Sequence, residues 1–110
     1  MTSLSTHVLD TSRGCPAAGV ALRLLTADGQ LLFTEATNAD GRCPGLPAVD
    51  PGRFRIEFAV ADYFRAAGIA PSDPPFLDII AIDFGVADPA GHYHVPLLVS
   101  PFGYSTYRGS

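Results

Sequence analysis

His92-Tyr93-His94-Val95-Pro96-Leu97-Leu98-Val99-Ser100-Pro101-Phe102-Gly103-Tyr104-Ser105-Thr106-Tyr107-Arg108-Gly109-Ser110 reads as two strands joined by a tight turn at Ser100-Pro101-Phe102-Gly103. Side chains alternate across a strand. Tyr93, Val95, Leu97 and Val99 therefore share one face, which is apolar and belongs to a core. His92, His94, Pro96 and Leu98 share the other. Proline cannot donate to a ladder, so this strand is expected to have an unpaired side at Pro96 or to lie at a sheet edge. In the second strand Tyr104 and Thr106 alternate with Ser105 and Tyr107. A segment so rich in hydrogen-bonding groups, beside a two-histidine face, points to use rather than to solvation.

The same period of two recurs upstream. Leu4–Asp10 reads as a strand with Ser5, His7 and Leu9 on one face and Leu4, Thr6 and Val8 on the other. Val20–Thr26 and Leu31–Thr37 form a hairpin around Ala27-Asp28-Gly29-Gln30, since Asp-Gly supplies the positive dihedrals such turns need. Arg53–Val60 alternates cleanly, with Phe54, Ile56 and Phe58 inward and Arg53, Arg55 and Glu57 toward water. Asp62 is placed to cap a short helix over Tyr63–Ala67, with Gly68 and Pro71 as its stop signals. Phe76–Val86 reads as a longer strand. About eight strands, one short helix and regularly spaced turns predict an all-β antiparallel sandwich.

Hydrophobic residues make up 47% of the 110, which suits one domain over residues 1–110 with one core. Only 16% of residues are charged and the net charge is −4, so no basic stripe is available for phosphates and no nucleic-acid partner is expected. No apolar run approaches the roughly 20 residues that a membrane span needs. Met1-Thr2-Ser3-Leu4-Ser5-Thr6 has no basic region followed by an apolar stretch, so a cytoplasmic protein with Cys15 and Cys43 as reduced thiols is expected.

Three features could carry chemistry: His7, Arg42 and the His92/His94 pair. Each has a plainer reading, as a structural histidine, a solvated turn arginine and a surface pair. His-x-His on a strand has metal-ligand spacing, but no carboxylate or cysteine joins it at a recognisable interval, so no metal is expected. The glycines form no phosphate-binding loop, and no serine sits in a nucleophile elbow.

Tyr93-His94-Val95-Pro96-Leu97-Leu98 through Ser100-Pro101-Phe102-Gly103-Tyr104-Ser105-Thr106-Tyr107-Arg108-Gly109-Ser110 resembles the C-terminal signature of the 5-hydroxyisourate hydrolase family, transthyretin-like enzymes of urate breakdown. Leu4-Ser5-Thr6-His7-Val8-Leu9-Asp10 with Gly14, Pro16 and Ala17 is similar to that family's N-terminal block, Asp40-Gly41-Arg42 to its central motif, and Tyr63-Phe64 leading to Gly68-Ile69 to its helix. Pro75–Ile80 fits only loosely, and Cys43 matches no family requirement.

The resemblance implies a transthyretin-like (prealbumin-like) sandwich that assembles as a homotetramer. It implies hydrolysis of 5-hydroxyisourate at a lactam C–N bond to 2-oxo-4-hydroxy-4-carboxy-5-ureidoimidazoline, without metal or cofactor. Carried over residue by residue, it implies His7, Arg42 and His94 as the catalytic trio, with Ser105, Tyr107 and Ser110 as substrate-binding groups; His92 falls toward the rim. The residue types suit the task. A histidine with a pKa of about 6.5 can deprotonate water near neutrality. A guanidinium can grip ring carbonyls and support an oxyanion. The rival readings are a transthyretin-like carrier without catalysis and a plain sandwich used for protein contacts.

Overall fold

The alternation of Phe54, Ile56 and Phe58 becomes burial in a strand of eight residues, β6 (Gly52–Ala59), which is the centre of the larger sheet. The structure is a computed structural model and describes residues 1–69 and 72–109. Before β6 come β1 (Ser3–Ser5), β2 (Val8–Asp10), β3 (Cys15–Pro16), β4 (Ala21–Thr26) and β5 (Leu31–Ala36). After it come α1 (Val60–Ala66), β7 (Ile79–Val86), β8 (His92–His94), β9 (Leu97–Ser100) and β10 (Gly103–Thr106). One four-stranded sheet has the order β5-β4-β6-β7 and is antiparallel throughout. The other has the order β10-β9-β2-β3, with the β1-β8 pair alongside. Val8, Leu22, Phe58, Leu97 and Val99, each fully buried, fill the space between the layers. No helix of the described residues is long and apolar enough to cross a membrane.

The sandwich is as expected, but two ladders correct the purely antiparallel reading. β1 runs parallel to β8, and β2 runs parallel to β9. The two long terminal strands also break, Leu4–Asp10 at Thr6-His7 and the C-terminal one at Val95-Pro96. Proline explains the second break and the pairing that survives it. The Val95 N–H donates to the Ser5 carbonyl and the Leu97 N–H to the His7 carbonyl, both at 2.9 Å, so Pro96 occupies the one position where no N–H is needed. The hydroxyls of Thr6 and Thr106 donate to the carbonyls of Val95 (2.7 Å) and Pro96 (2.8 Å) across this joint.

The helix begins earlier than the sequence suggests. Ala59, not Asp62, is the N-cap, and no side chain caps it. The Asp78 carbonyl does that work by accepting from the N–H groups of Val60 (3.1 Å) and Ala61 (3.2 Å), so β6 runs straight into α1. Ala67 and Ile69 close the far end through the carbonyls of Tyr63 and Phe64. Pro71 lies outside the described residues. The strand expected over Phe76–Val86 starts at Ile79, and Phe76 instead stands exposed, its ring centroid 6.2 Å from that of Phe102.

One buried charge ties the helix to the sheet. Asp10 is fully buried at the end of β2. Its Oδ1 accepts from the Ser12 N–H (3.0 Å) and hydroxyl (2.5 Å) and the Arg13 N–H (3.2 Å), and its Oδ2 from the Tyr63 hydroxyl (2.8 Å). Burial pushes the Asp10 carboxyl up, but the Ser12, Tyr63 and backbone hydrogen bonds outweigh it and hold it below its ordinary value. Burial and the Asp10 bond push Tyr63 up to about 12. Asp10→Ala strands these donors and is expected to cost about 2–3 kcal/mol in a urea melt. Because the native carboxyl is depressed, its stabilisation is full above the unfolded pKa of about 3.9 and is lost as pH falls through the lower native value. An Asp10→Ala midpoint equal to wild type at pH 7 would refute this anchoring role.

Candidate active site

His94 ends β8, and the parallel register sets Ser5 of β1 directly beside it. The Ser5 hydroxyl lies 2.7 Å from His94 Nδ1. On the other side the C-terminal segment returns: the Gly109 N–H donates to the His94 carbonyl at 2.8 Å. A Cβ at Gly109 would fall 2.5 Å from His94 Cδ2, so the imidazole is packed against bare backbone that only glycine allows.

His7 follows Ser5 on the same face, half-buried, immediately before β2. Arg42 reaches this region from a loop far away in sequence. Asn38 closes that loop: its Oδ1 accepts from the N–H groups of Asp40 (2.9 Å) and Arg42 (3.0 Å), and its own N–H donates to the Arg42 carbonyl (2.9 Å). The Gly41 carbonyl then accepts from the Val8 N–H at 2.8 Å, which fixes the loop to the residue after His7. Gly41 has φ +73°, and a Cβ there would lie 2.5 Å from the Val8 carbonyl oxygen, so the docking demands glycine twice over.

These elements bring Arg42, His7 and His92 near enough to His94 to act on its charge. Burial lowers the His94 pKa first, and its neighbours Arg42, His7 and His92, each of which disfavours a second positive charge beside it, lower it further. The lowered pKa favours the neutral imidazole at pH 7, with Nδ1 engaged by Ser5 and, among the described residues, no hydrogen-bond partner on Nε2. A neutral imidazole beside a guanidinium can accept a proton from water while the guanidinium supports developing negative charge.

The other predicted residues fall less centrally. Ser105 is exposed on β10, where Ser105, Leu98 and Leu9 lie in register across the outer face of the sheet. Tyr107 is exposed and lines a cavity of about 260 Å³ with Tyr93, Val95, Ile82 and Phe84. Arg108 stacks its guanidinium 3.9 Å from the centre of the Tyr93 ring and so anchors this segment. Ser110 lies outside the described residues. His92 is exposed at the rim, with Nδ1 2.6 Å from the Ser3 hydroxyl and Nε2 2.8 Å from that of Ser5. Among the described residues no group of three or more His, Cys, Asp or Glu is arranged to hold a metal ion. Sequence reasoning missed Ser5 and Asn38. The signal for Ser5 was its place two residues before His7 on one strand face; Asn38 looked only like a turn residue.

The family model described as the HIUase/Transthyretin family matches residues 4–109. The chain belongs to this family. A Caulobacter vibrioides relative named 5-hydroxyisourate hydrolase is 52% identical over 115 residues, covering both chains in full. The solved 5-hydroxyisourate hydrolase of Klebsiella pneumoniae superposes with a TM-score of 0.87 at 37% identity, again over the full length of both. Transthyretin from Sparus aurata superposes with a TM-score of 0.84 at 32% identity, covering 96% of this chain and 95% of that one. The HIUase/Transthyretin family thus includes both an enzyme and a differently named protein on one fold, and the fold alone does not choose between them.

Proposed function

We propose that this chain hydrolyses 5-hydroxyisourate, opening a lactam C–N bond to give 2-oxo-4-hydroxy-4-carboxy-5-ureidoimidazoline. The full-length relatives named for that activity support the reading. What carries it is the placing of the half-buried His94 beside Ser5, with the Arg42 loop docked on Val8 next to His7 and both Arg42 and His7 near enough to lower the His94 pKa. In this mechanism His94 and His7 position and deprotonate the attacking water. Arg42 holds the ring carbonyls with its fork of donors and stabilises the oxyanion. Ser105, Tyr107 and Ser110 supply hydrogen bonds to the ring. The test is the ultraviolet decay of freshly made 5-hydroxyisourate with and without the protein. Decay no faster than the spontaneous rate would favour a non-catalytic carrier instead.

The working unit in this proposal is a homotetramer in the cytoplasm. Cys15 and Cys43 are free thiols, which suits a reducing compartment. The outer face that bears His7 and His94 also bears half-buried Leu9 and Leu98, so a second copy laid on it would cover apolar surface and turn an open face into an enclosed channel. Ser105 lies in that same row and would line the channel. Light scattering at micromolar concentration is expected to give four times the 11.6 kDa chain mass. A monodisperse monomer with full activity would overturn the shared site.

A further inference from the structure

Ser5 has more to do than a strand serine ordinarily does. Its single hydroxyl lies 2.7 Å from His94 Nδ1 and 2.8 Å from His92 Nε2, while His92 Nδ1 lies 2.6 Å from the Ser3 hydroxyl. The four side chains form one unbroken string from the half-buried His94 out to solvent at His92 and Ser3.

A serine hydroxyl has one proton to donate and lone pairs to accept with. It can therefore donate to only one of the two imidazole nitrogens it touches, and the other must donate to it. With both imidazoles neutral, two arrangements satisfy every bond. In the first, His94 Nδ1–H donates to Ser5, Ser5 donates to His92 Nε2, and His92 Nδ1–H donates to Ser3. In the second every donor is reversed, and His94 carries its proton on Nε2. The tautomers of the two histidines are thus locked together through Ser5. Only the first leaves His94 Nε2 with a bare lone pair. The positive charge of the Arg42 guanidinium near His94 favours it, because it attracts a lone pair and repels an N–H.

We propose that Ser5 and His92 are positioning residues that hold His94 in the tautomer with Nδ1 protonated and Nε2 free to act as the base. This inference rests on the hydrolytic reading above for its kinetic consequence, but the tautomer itself does not depend on it.

The experiment therefore has two arms. Long-range ¹H–¹⁵N spectra of histidine-labelled protein at pH 7 are expected to show His94 protonated on Nδ1 in the wild type and on Nε2 in Ser5→Ala, with Ser5→Thr restoring the wild-type pattern. In the hydrolysis assay Ser5→Ala and His92→Phe are each expected to lower kcat by about tenfold, well under the 10²–10⁴ of losing the base itself, with KM little changed. The double variant should be no worse than either single one, since both act through one string. An unchanged His94 tautomer in Ser5→Ala, or losses that multiply in the double variant, overturns the proposal. If the tautomer shifts as expected but wild type does not hydrolyse 5-hydroxyisourate, the positioning stands and the hydrolytic reading falls. If wild type hydrolyses it and the tautomer does not shift, only the positioning falls.

Discussion

His94→Asn is expected to lower turnover on 5-hydroxyisourate by about 10²–10⁴-fold, the range for losing a general acid-base group. Asparagine keeps a hydrogen-bonding group of similar reach for Ser5 but cannot accept a proton near neutrality. The fold should survive, because the imidazole is only half-buried and the Gly109 N–H bonds the His94 backbone carbonyl, which asparagine retains. His7→Asn is expected to fall in the same range, and His92→Asn well below it. The pH dependence follows from the direction of the His94 shift. Burial, then Arg42 and the neighbouring imidazoles, lower its pKa, so the neutral base persists to lower pH than in a free imidazole. The acidic limb of kcat/KM should therefore lie below about 6.5 and disappear with His94→Asn. If His92 proved essential and His94 dispensable, the assignment of roles along β8 would be wrong.

Much of this fold was readable because a period of two is local information. Phe54, Ile56 and Phe58, and Tyr93, Val95, Leu97 and Val99, all point inward as their alternation requires. What alternation cannot supply is the neighbour. Nothing near Ser5 announces that it lies beside His94, because that pairing joins opposite ends of the chain in a parallel register. The helix start differs from the local expectation for a related reason. Asp62 is the local candidate for a cap, but the actual acceptor is the Asp78 carbonyl, brought back by the start of β7. The site shows the same division. The face shared by Ser5 and His7 was visible in the strand pattern, and that of His92 and His94 likewise. The approach of Arg42 was not, since it depends on Asn38 closing a loop and on Gly41 fitting against Val8. Only the resemblance to a family motif joined Arg42 to the histidines before the fold did.

Arg42→Glu is expected to abolish hydrolysis while leaving the fold intact. The Arg42 side chain is exposed, and its loop is held by the Asn38 side chain and by backbone groups that the substitution retains. Surface changes of this kind usually cost within about 0.5 kcal/mol, so the thermal midpoint should hardly move. The chemistry has no such tolerance. The guanidinium that would grip the ring carbonyls becomes a carboxylate that repels them and any oxyanion formed on them. The His94 pKa should also rise, because one of the charges that depress it is replaced by its opposite. Less neutral base then remains at pH 7, and the acidic limb of any residual activity should move upward. Arg42→Lys separates the two effects: it keeps the charge, and so the His94 shift, but loses the planar fork, and should retain weak activity with a near-normal limb. Turnover, pH profile and thermal midpoint measured on both variants decide the matter. Near-normal turnover in Arg42→Glu would remove the arginine from the site, and a collapsed midpoint would make its role structural.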